Sequence, residues 1–382
     1  MPDIVAFTPV NLITGFLGSG KTTLLRRLLD DPALSDTAVL INEFGEVGLD
    51  HHLLERIDET MVLLPSGCLC CAIRGELSEA IRDLHNRREA GEIAPFRRLV
   101  IESTGLADPF PILSTVHADP VLRHHFRLGN VITTVDAVNG MDQLDRRAEA
   151  SKQVAVADRL VLTKTDLANG ESLTSRLHHL NPDALLLRAM DDAIDAKALF
   201  TADLFGGTNY LPPLAGEGGA QRRLGVAGAT TPATATARDA GHPHPPFGHL
   251  PPPAGEGIHD ASIHSFAVTL DGAVDWTMFG VWLSMLLHRH GASVLRVKGI
   301  LNVEGSDTPV AIHGVQHLVH PPRHMPAWPD GDRRSRLVFI VDGLERAAVE
   351  RSLAAFLSRP IVLGSGIATE PDHAARNPVA AG

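Results

Sequence analysis

Three cysteines, Cys68, Cys70 and Cys71, stand almost side by side, and the chain contains no others. With no distant thiol to pair with, they cannot staple a fold, and a reducing compartment is their natural setting. Sulfurs this close can place two or three thiolates on one borderline or soft ion such as Zn²⁺, Co²⁺, Ni²⁺ or Cu⁺. No fourth cysteine exists, so the site borrows a carboxylate, a histidine or water, or stays open. Glu43 and Glu46, in Asn42-Glu43-Phe44-Gly45-Glu46, can lend a carboxylate. Asp50 can orient Mg²⁺ or an attacking water, and His51 and His52 follow it directly. The bland reading of these acids and histidines is solvated loop charge.

A second constellation precedes the thiols. Gly15-Phe16-Leu17-Gly18-Ser19-Gly20-Lys21-Thr22 has the spacing G-x-x-x-x-G-K-[ST]. Gly15, Gly18 and Gly20 let backbone N–H groups, that of Ser19 among them, wrap phosphate oxygens without Cβ clashes. Lys21 reaches the β- and γ-phosphates, and the Thr22 hydroxyl ligates Mg²⁺. Glu102 ends the apolar run Leu99-Val100-Ile101, where such proteins place the carboxylate that holds Mg²⁺. Thr163-Lys164-Thr165-Asp166 resembles the guanine-reading N-K-x-D, with Thr163 in the position of the loop-bracing Asn. Asp166 then pairs with the N–H edge of the base and Lys164 packs along its ring. Lys21, Asp50 and Glu102 are the catalytic candidates.

These side chains need strands to end where they begin. Short apolar runs at 10–14, 37–41, 61–64, 99–101, 131–135, 160–162 and 184–187 alternate with helical stretches such as 21–29 and 77–84. That is the pattern of a mostly parallel sheet covered on both faces, a doubly wound α/β domain over residues 1–205. Residues 206–257 are rich in Pro and Gly and read as a linker. It carries His242, His244 and His249, either a weak metal-loading cluster or solvated histidines. Residues 258–360 read as a smaller α+β domain. Strands are expected at 262–270, 294–303, 310–319 and 337–341, with helices after Asp275 and over 344–357. His313, His317 and His320 fall in this strand-like region, at a spacing that does not put all three on one strand face. Residues 361–382 read as a frayed tail.

A net charge of −11 on 382 residues excludes a generally basic nucleic-acid binder. No apolar run approaches the ~18 residues of a membrane span, and Met1-Pro2-Asp3-Ile4 lacks the basic start of an export signal. The expected location is cytoplasmic.

Together the motifs resemble the CobW-type metallochaperone GTPases, relatives of the nickel-insertion GTPases of urease and hydrogenase maturation. The resemblance rests on the phosphate loop through Thr23, Asn42–Glu46, Gly67–Cys71, Glu102-Ser103-Thr104-Gly105 with Asp108-Pro109, and Thr163–Asp166. In the second domain it rests on Leu295–Ile300 and Arg336–Ile340. It implies a P-loop fold, GTP binding with Mg²⁺, slow hydrolysis, and capture of Zn²⁺, or next Co²⁺, on the cysteines in the nucleotide-bound state. It further implies delivery to a client protein met by the C-terminal domain, and a homodimer. A P-loop phosphotransferase with structural cysteines and a non-enzymatic zinc buffer or sensor are the alternatives.

Overall fold

The computed structural model describes residues 7–42, 61–64, 72–189, 199–200 and 262–357. Glu43, Glu46, Asp50, His51, His52, Cys68, Cys70, Cys71, the linker and the tail lie outside the described residues.

The first half is a seven-stranded sheet in the order β3-β2-β4-β1-β5-β6-β7. The strands are β1 (Thr8–Gly15), β2 (Thr37–Asn42), β3 (Met61–Leu64), β4 (Arg98–Glu102), β5 (Phe126–Asp136), β6 (Arg159–Thr163) and β7 (Leu185–Arg188). Every pairing among the described residues is parallel, as the doubly wound pattern predicts. Its strands are apolar on both faces because both faces are buried. Ile13, Val39, Ile41, Val100 and Val161 pack on Leu24, Leu25 and Leu28 of α1 (Lys21–Leu29). Leu12, Leu40, Leu99, Ile101 and Leu162 face the opposite layer. That layer consists of α2 (Ala72–Glu89), α3 (Pro109–Ala118), α4 (Leu122–His125), α5 (Gly140–Arg146), α6 (Ala148–Ala155) and α7 (Glu171–Leu180).

The second half is an antiparallel sheet, β11-β10-β9-β13-β8, with β12 also on β10. Its strands are β8 (Ile263–Leu270), β9 (Val294–Leu301), β10 (Val310–Val315), β11 (Leu318–Val319), β12 (Arg323–His324) and β13 (Ser335–Asp342). The strand expected over 310–319 is a hairpin, because Gln316 takes a positive φ of 51° and turns the chain back. Asp275 caps α8 (Trp276–His290), accepting from the Met278 N–H at 2.7 Å. One face of the sheet packs Phe266, Phe339 and Val341 on Phe279 and Trp282 of α8 and Val349 and Leu353 of α9 (Arg346–Leu357).

The other face joins the core of the first sheet through Ile263, Leu295, Val315, Leu318 and Ile340. At this junction Asp158 is buried, accepts from the Val131 N–H at 2.9 Å and pairs with Arg296. Arg296 also donates to the Val156 carbonyl at 2.6 Å. Burial alone would raise the Asp158 carboxyl, but Arg296, His313 and Lys298 outweigh it and hold it well below the usual carboxylate range. Burial pushes the Lys298 ammonium down to about 7.

Candidate functional site

The phosphate loop joins the end of β1 to the start of α1. The Ser19 N–H donates to the Phe16 carbonyl at 3.2 Å, closing the turn. Lys21 Nζ reaches back to the carbonyls of Gly15 at 3.0 Å and Phe16 at 3.2 Å, so its charge sits over the loop. Gly15 has φ 139°, and a Cβ there would strike the carbonyl and hydroxyl of Thr134 on β5. Its missing side chain lets the Thr134 hydroxyl reach the Ser19 hydroxyl at 2.6 Å, locking the loop to the sheet. Gly20, with φ 87°, is the N-cap of α1 and supplies no side chain to the helix end. No acid stands in the first turn. The leading N–H groups of α1 are thereby left to an anion, which the helix dipole also favours. Thr23 is an exposed hydroxyl at the same helix end.

Glu102 is buried at the end of β4, opposite Ile13 of β1 and Ile41 of β2. The Thr22 hydroxyl donates to its Oε1 at 2.7 Å. Adjacent oxygens around an octahedral Mg²⁺, each 2.0–2.1 Å from the ion, lie roughly 3 Å apart. The Thr22–Glu102 pair has about that spacing, so the residues present fit the ion. The segment after Glu102 is moulded to the phosphate loop. Ser103 donates from its N–H to the Ile13 carbonyl at 2.9 Å and from its hydroxyl to Thr14 Oγ1 at 2.8 Å. A Cβ on Gly105 would lie 2.7 Å from the Leu17 nitrogen and 2.8 Å from its Cα. Gln153 Nε2 holds the Gly105 and Ala107 carbonyls at 3.1 and 3.0 Å. Asp108 has a capping role, accepting from the Phe110 N–H at 2.9 Å at the start of α3.

The third loop follows β6. The Thr163 hydroxyl donates to the Ser19 carbonyl at 2.8 Å and to the Val135 carbonyl at 3.2 Å. The bracing expected of an asparagine is therefore supplied by a threonine. Lys164 takes φ 56° and its Nζ donates to Asp136 Oδ2 at 2.6 Å. Burial alone would raise the Asp136 carboxyl, but the bonds from Lys164 and Asn139 outweigh it and hold the group below its usual range. Asp166 is exposed on the turn beyond. Reading motif by motif overlooks Asp136, Thr134 and Gln153. Asp136 carries the one usable signal, an acid at the end of an apolar strand, as Glu102 is.

The thiols and Glu43 lie outside the described residues, but the strand ends that lead to them are described. Asn42, which ends β2, pairs with Leu64, which ends β3, and Ile41 pairs with Glu102. Three steps of 4.7–4.9 Å separate β3 from β1, about 14 Å in all. The segments carrying the cysteines and Glu43 thus leave the same sheet edge as the phosphate loop and Glu102. Among the described residues no three His, Cys, Asp or Glu side chains form a metal-holding group. His313 and His320 stack across the β10–β11 hairpin with centroids 4.4 Å apart, while His317 turns to Phe110 at 6.0 Å.

A phosphate loop, a carboxylate on its threonine and the Thr163–Asp166 turn, all at the carboxyl ends of one parallel sheet, define a P-loop nucleotide-binding protein. Residues 9–188 match the family described as CobW/HypB/UreG, nucleotide-binding domain, and residues 263–357 match the cobalamin synthesis protein cobW C-terminal domain. The chain is 34% identical to the zinc chaperone YjiA of Escherichia coli, over 87% of this chain and 93% of the relative. It is 27% identical to the zinc chaperone CobW of a Sinorhizobium species, over 91% and 97%. The crystal structure of Zn(II)-bound YjiA GTPase from E. coli superposes with a TM-score of 0.63 at 28% identity, covering 92% of this chain and 99% of that one. The chain belongs to the CobW family of P-loop proteins. No helix among its described residues is long and apolar enough to cross a membrane.

Proposed function

We propose that this chain is a GTP-hydrolysing zinc chaperone of the cytoplasm. It captures Zn²⁺ on Cys68, Cys70 and Cys71 with Glu43 while GTP is bound, and yields it to a client metalloprotein after hydrolysis. The observation that carries the reading is the 2.7 Å bond from Thr22 to Glu102 at the lysine-capped loop. It lies on the sheet edge from which the cysteine segment departs.

Lys21 and the loop N–H groups hold the β- and γ-phosphates, and Lys164 and Asp166 read the guanine. Thr22 and Glu102 would hold Mg²⁺, which when bound neutralises charge on the phosphates. Asp50 orients the attacking water. Because β2 and β3, which lead to Glu43 and the cysteines, end on the same side of the sheet as the phosphate loop, nucleotide and zinc favour one conformation. By linkage each then tightens the other. Zinc is preferred to cobalt because thiolate–carboxylate sites bind it more strongly along the Irving–Williams order. The names of the relatives support the same cargo. The client meets the C-terminal domain, and two chains pair as a homodimer.

The test is a competitive titration of Zn²⁺ against Co²⁺ with Mg²⁺ and either a non-hydrolysable GTP analogue or GDP. Zinc affinity should be higher with the analogue, and Cys70→Ala should weaken zinc binding while leaving GTP binding intact. Lys21→Ala should abolish turnover. Equal zinc affinity in the two nucleotide states would overturn the coupling.

A further inference from the structure

We infer that a cleft between the two sheets, at the start of β5, docks an acidic segment of a partner protein and receives one bulky apolar side chain from it. The cleft has a volume of about 420 Å³, and its apolar walls include Val116, Phe126, Leu128, Leu318 and Val319. That size and composition suit a recognition pocket, and such pockets favour domain junctions. Its polar lining holds three arginines, Arg123, Arg127 and Arg323, with His117 and His320 and no carboxylate. The three arginines are exposed, and no ion pair or side-chain hydrogen bond engages them among the described residues.

Asp119, the acid closest in sequence to Arg123, is already committed. It accepts from Arg82, Ser78 and the N–H groups of Val121 and Leu122. Guanidiniums beside apolar walls are the composition of energetic centres in protein interfaces. The charge around them decides the partner. On a chain of net charge −11 an acidic segment is repelled broadly, so a local basic cluster both attracts it and fixes where it lands.

The strands at the cleft suggest how the segment lies. Phe126–Leu128 of β5 pairs with β1 alone, since β6 joins β5 only from Ile132 onward. Leu318–Val319 pairs with β10 alone. Each strand therefore has one edge without a strand partner among the described residues. An extended segment adds to such an edge through its main chain, and its side chains alternate in direction. Every second residue can then enter the cleft while its neighbours present carboxylates to Arg127 and Arg323. Nucleic acid fits less well, because a phosphate backbone would leave the apolar pocket unfilled.

That the partner is the client receiving zinc rests on the chaperone reading above. The docking itself does not, so its test uses the full chain without zinc or nucleotide. A labelled Asp-Asp-Trp-Asp-Asp peptide is titrated by fluorescence anisotropy. Wild type should bind it, and added salt should weaken binding. Alanine in place of the tryptophan should also weaken it. Arg127→Glu and Arg323→Glu should each cost about tenfold or more, with unchanged melting temperature and GTP turnover. The proposal is overturned if the peptide does not bind, or binds the reversal variants as well as wild type. It also fails if an oligo-dT strand or anilinonaphthalene sulfonate displaces the peptide and binds more tightly than it does. Loss of zinc binding in Cys70→Ala with peptide binding intact separates the two readings.

Discussion

Replacing Thr163 with valine removes a hydroxyl and keeps the shape. In the native chain that hydroxyl supports two backbone carbonyls, Ser19 at 2.8 Å and Val135 at 3.2 Å, from a buried position. Deleting a buried donor and leaving its acceptors in place costs about 1–3 kcal/mol. Ser19 belongs to the phosphate loop, and the methyl of Thr163 stands 3.5 Å from where a Cβ on Gly20, the N-cap of α1, would lie. Valine keeps that methyl, so the change isolates the hydrogen bond. If the cost falls on the bound form of the loop, GTP-analogue affinity drops roughly 5- to 140-fold, at about 1.4 kcal/mol per factor of ten. Thr163→Ser keeps the donor and should stay within about threefold of wild type, losing only a methyl. Discrimination against ATP should be unchanged in both, because Asp166 is untouched. The assay is the dissociation constant of a fluorescent GTP analogue for wild type and both variants. Native affinity in the valine variant, or an equal loss in the serine variant, would refute the brace and assign the site to methyl packing.

Gly105→Ala places a Cβ 2.8 Å from Leu17 Cα, where ordinary contact begins at 3.4 Å. The phosphate loop must yield by about 0.6 Å, and GTP turnover should fall about tenfold or more; unchanged turnover would show that the loop gives freely. Arg296→Met leaves Asp158 charged, buried and unpaired, which should cost about 3–5 kcal/mol in denaturant unfolding, partly recovered by adding Asp158→Asn. Full additivity of the two changes would show that the pair is not coupled. Burial pushes His320 down to about 4 and drives His313 down as well. Both are neutral in the folded chain, whereas the unfolded chain takes up their protons near 6.5. Stability is therefore full above about pH 6.5 and lost as pH falls towards 4, by at most about 3 kcal/mol from His320. His320→Gln should flatten that part of the stability–pH curve, and an unchanged slope would assign the loss to other groups.

The phosphate loop, Glu102 and the Thr163–Asp166 turn were legible because each couples a fixed spacing to the end of an apolar strand. The doubly wound sheet was legible for a related reason. Strands buried on both faces become short apolar runs, and the helices between them carry their own periodicity. What escaped depends on pairings between distant residues. Nothing near Asp136 announces that Lys164 will reach it, and nothing near Gln153 announces its grip on the Gly105 carbonyl. The hairpin at Gln316 was hidden because its flanks, Val310–Val315 and Leu318–Val319, read as one strand. The turn is made by backbone conformation at a residue with no composition signal. The spacing of His313, His317 and His320 argued against a shared strand face, but not for the stacking of His313 on His320 at the junction between the sheets.

That junction changes how the two halves should be regarded. A linker rich in proline and glycine invites the picture of two bodies on a tether. The second sheet instead contributes Leu295, Val315, Leu318 and Ile340 to the hydrophobic core of the first. Asp158 would be a buried charge without its guanidinium partner if the second sheet were withdrawn. Separation would thus expose apolar surface and strand a carboxylate at once, and both costs oppose it. Asp158 also precedes β6, a strand buried along its whole length. At the other end of β6, Thr163 braces the phosphate loop and Lys164 opens the turn to Asp166. One five-residue strand therefore stands between the ion pair that seats the C-terminal sheet and the loops that meet nucleotide. The halves are built to unfold together, and the seat of the second sheet is part of what holds the nucleotide loops in place.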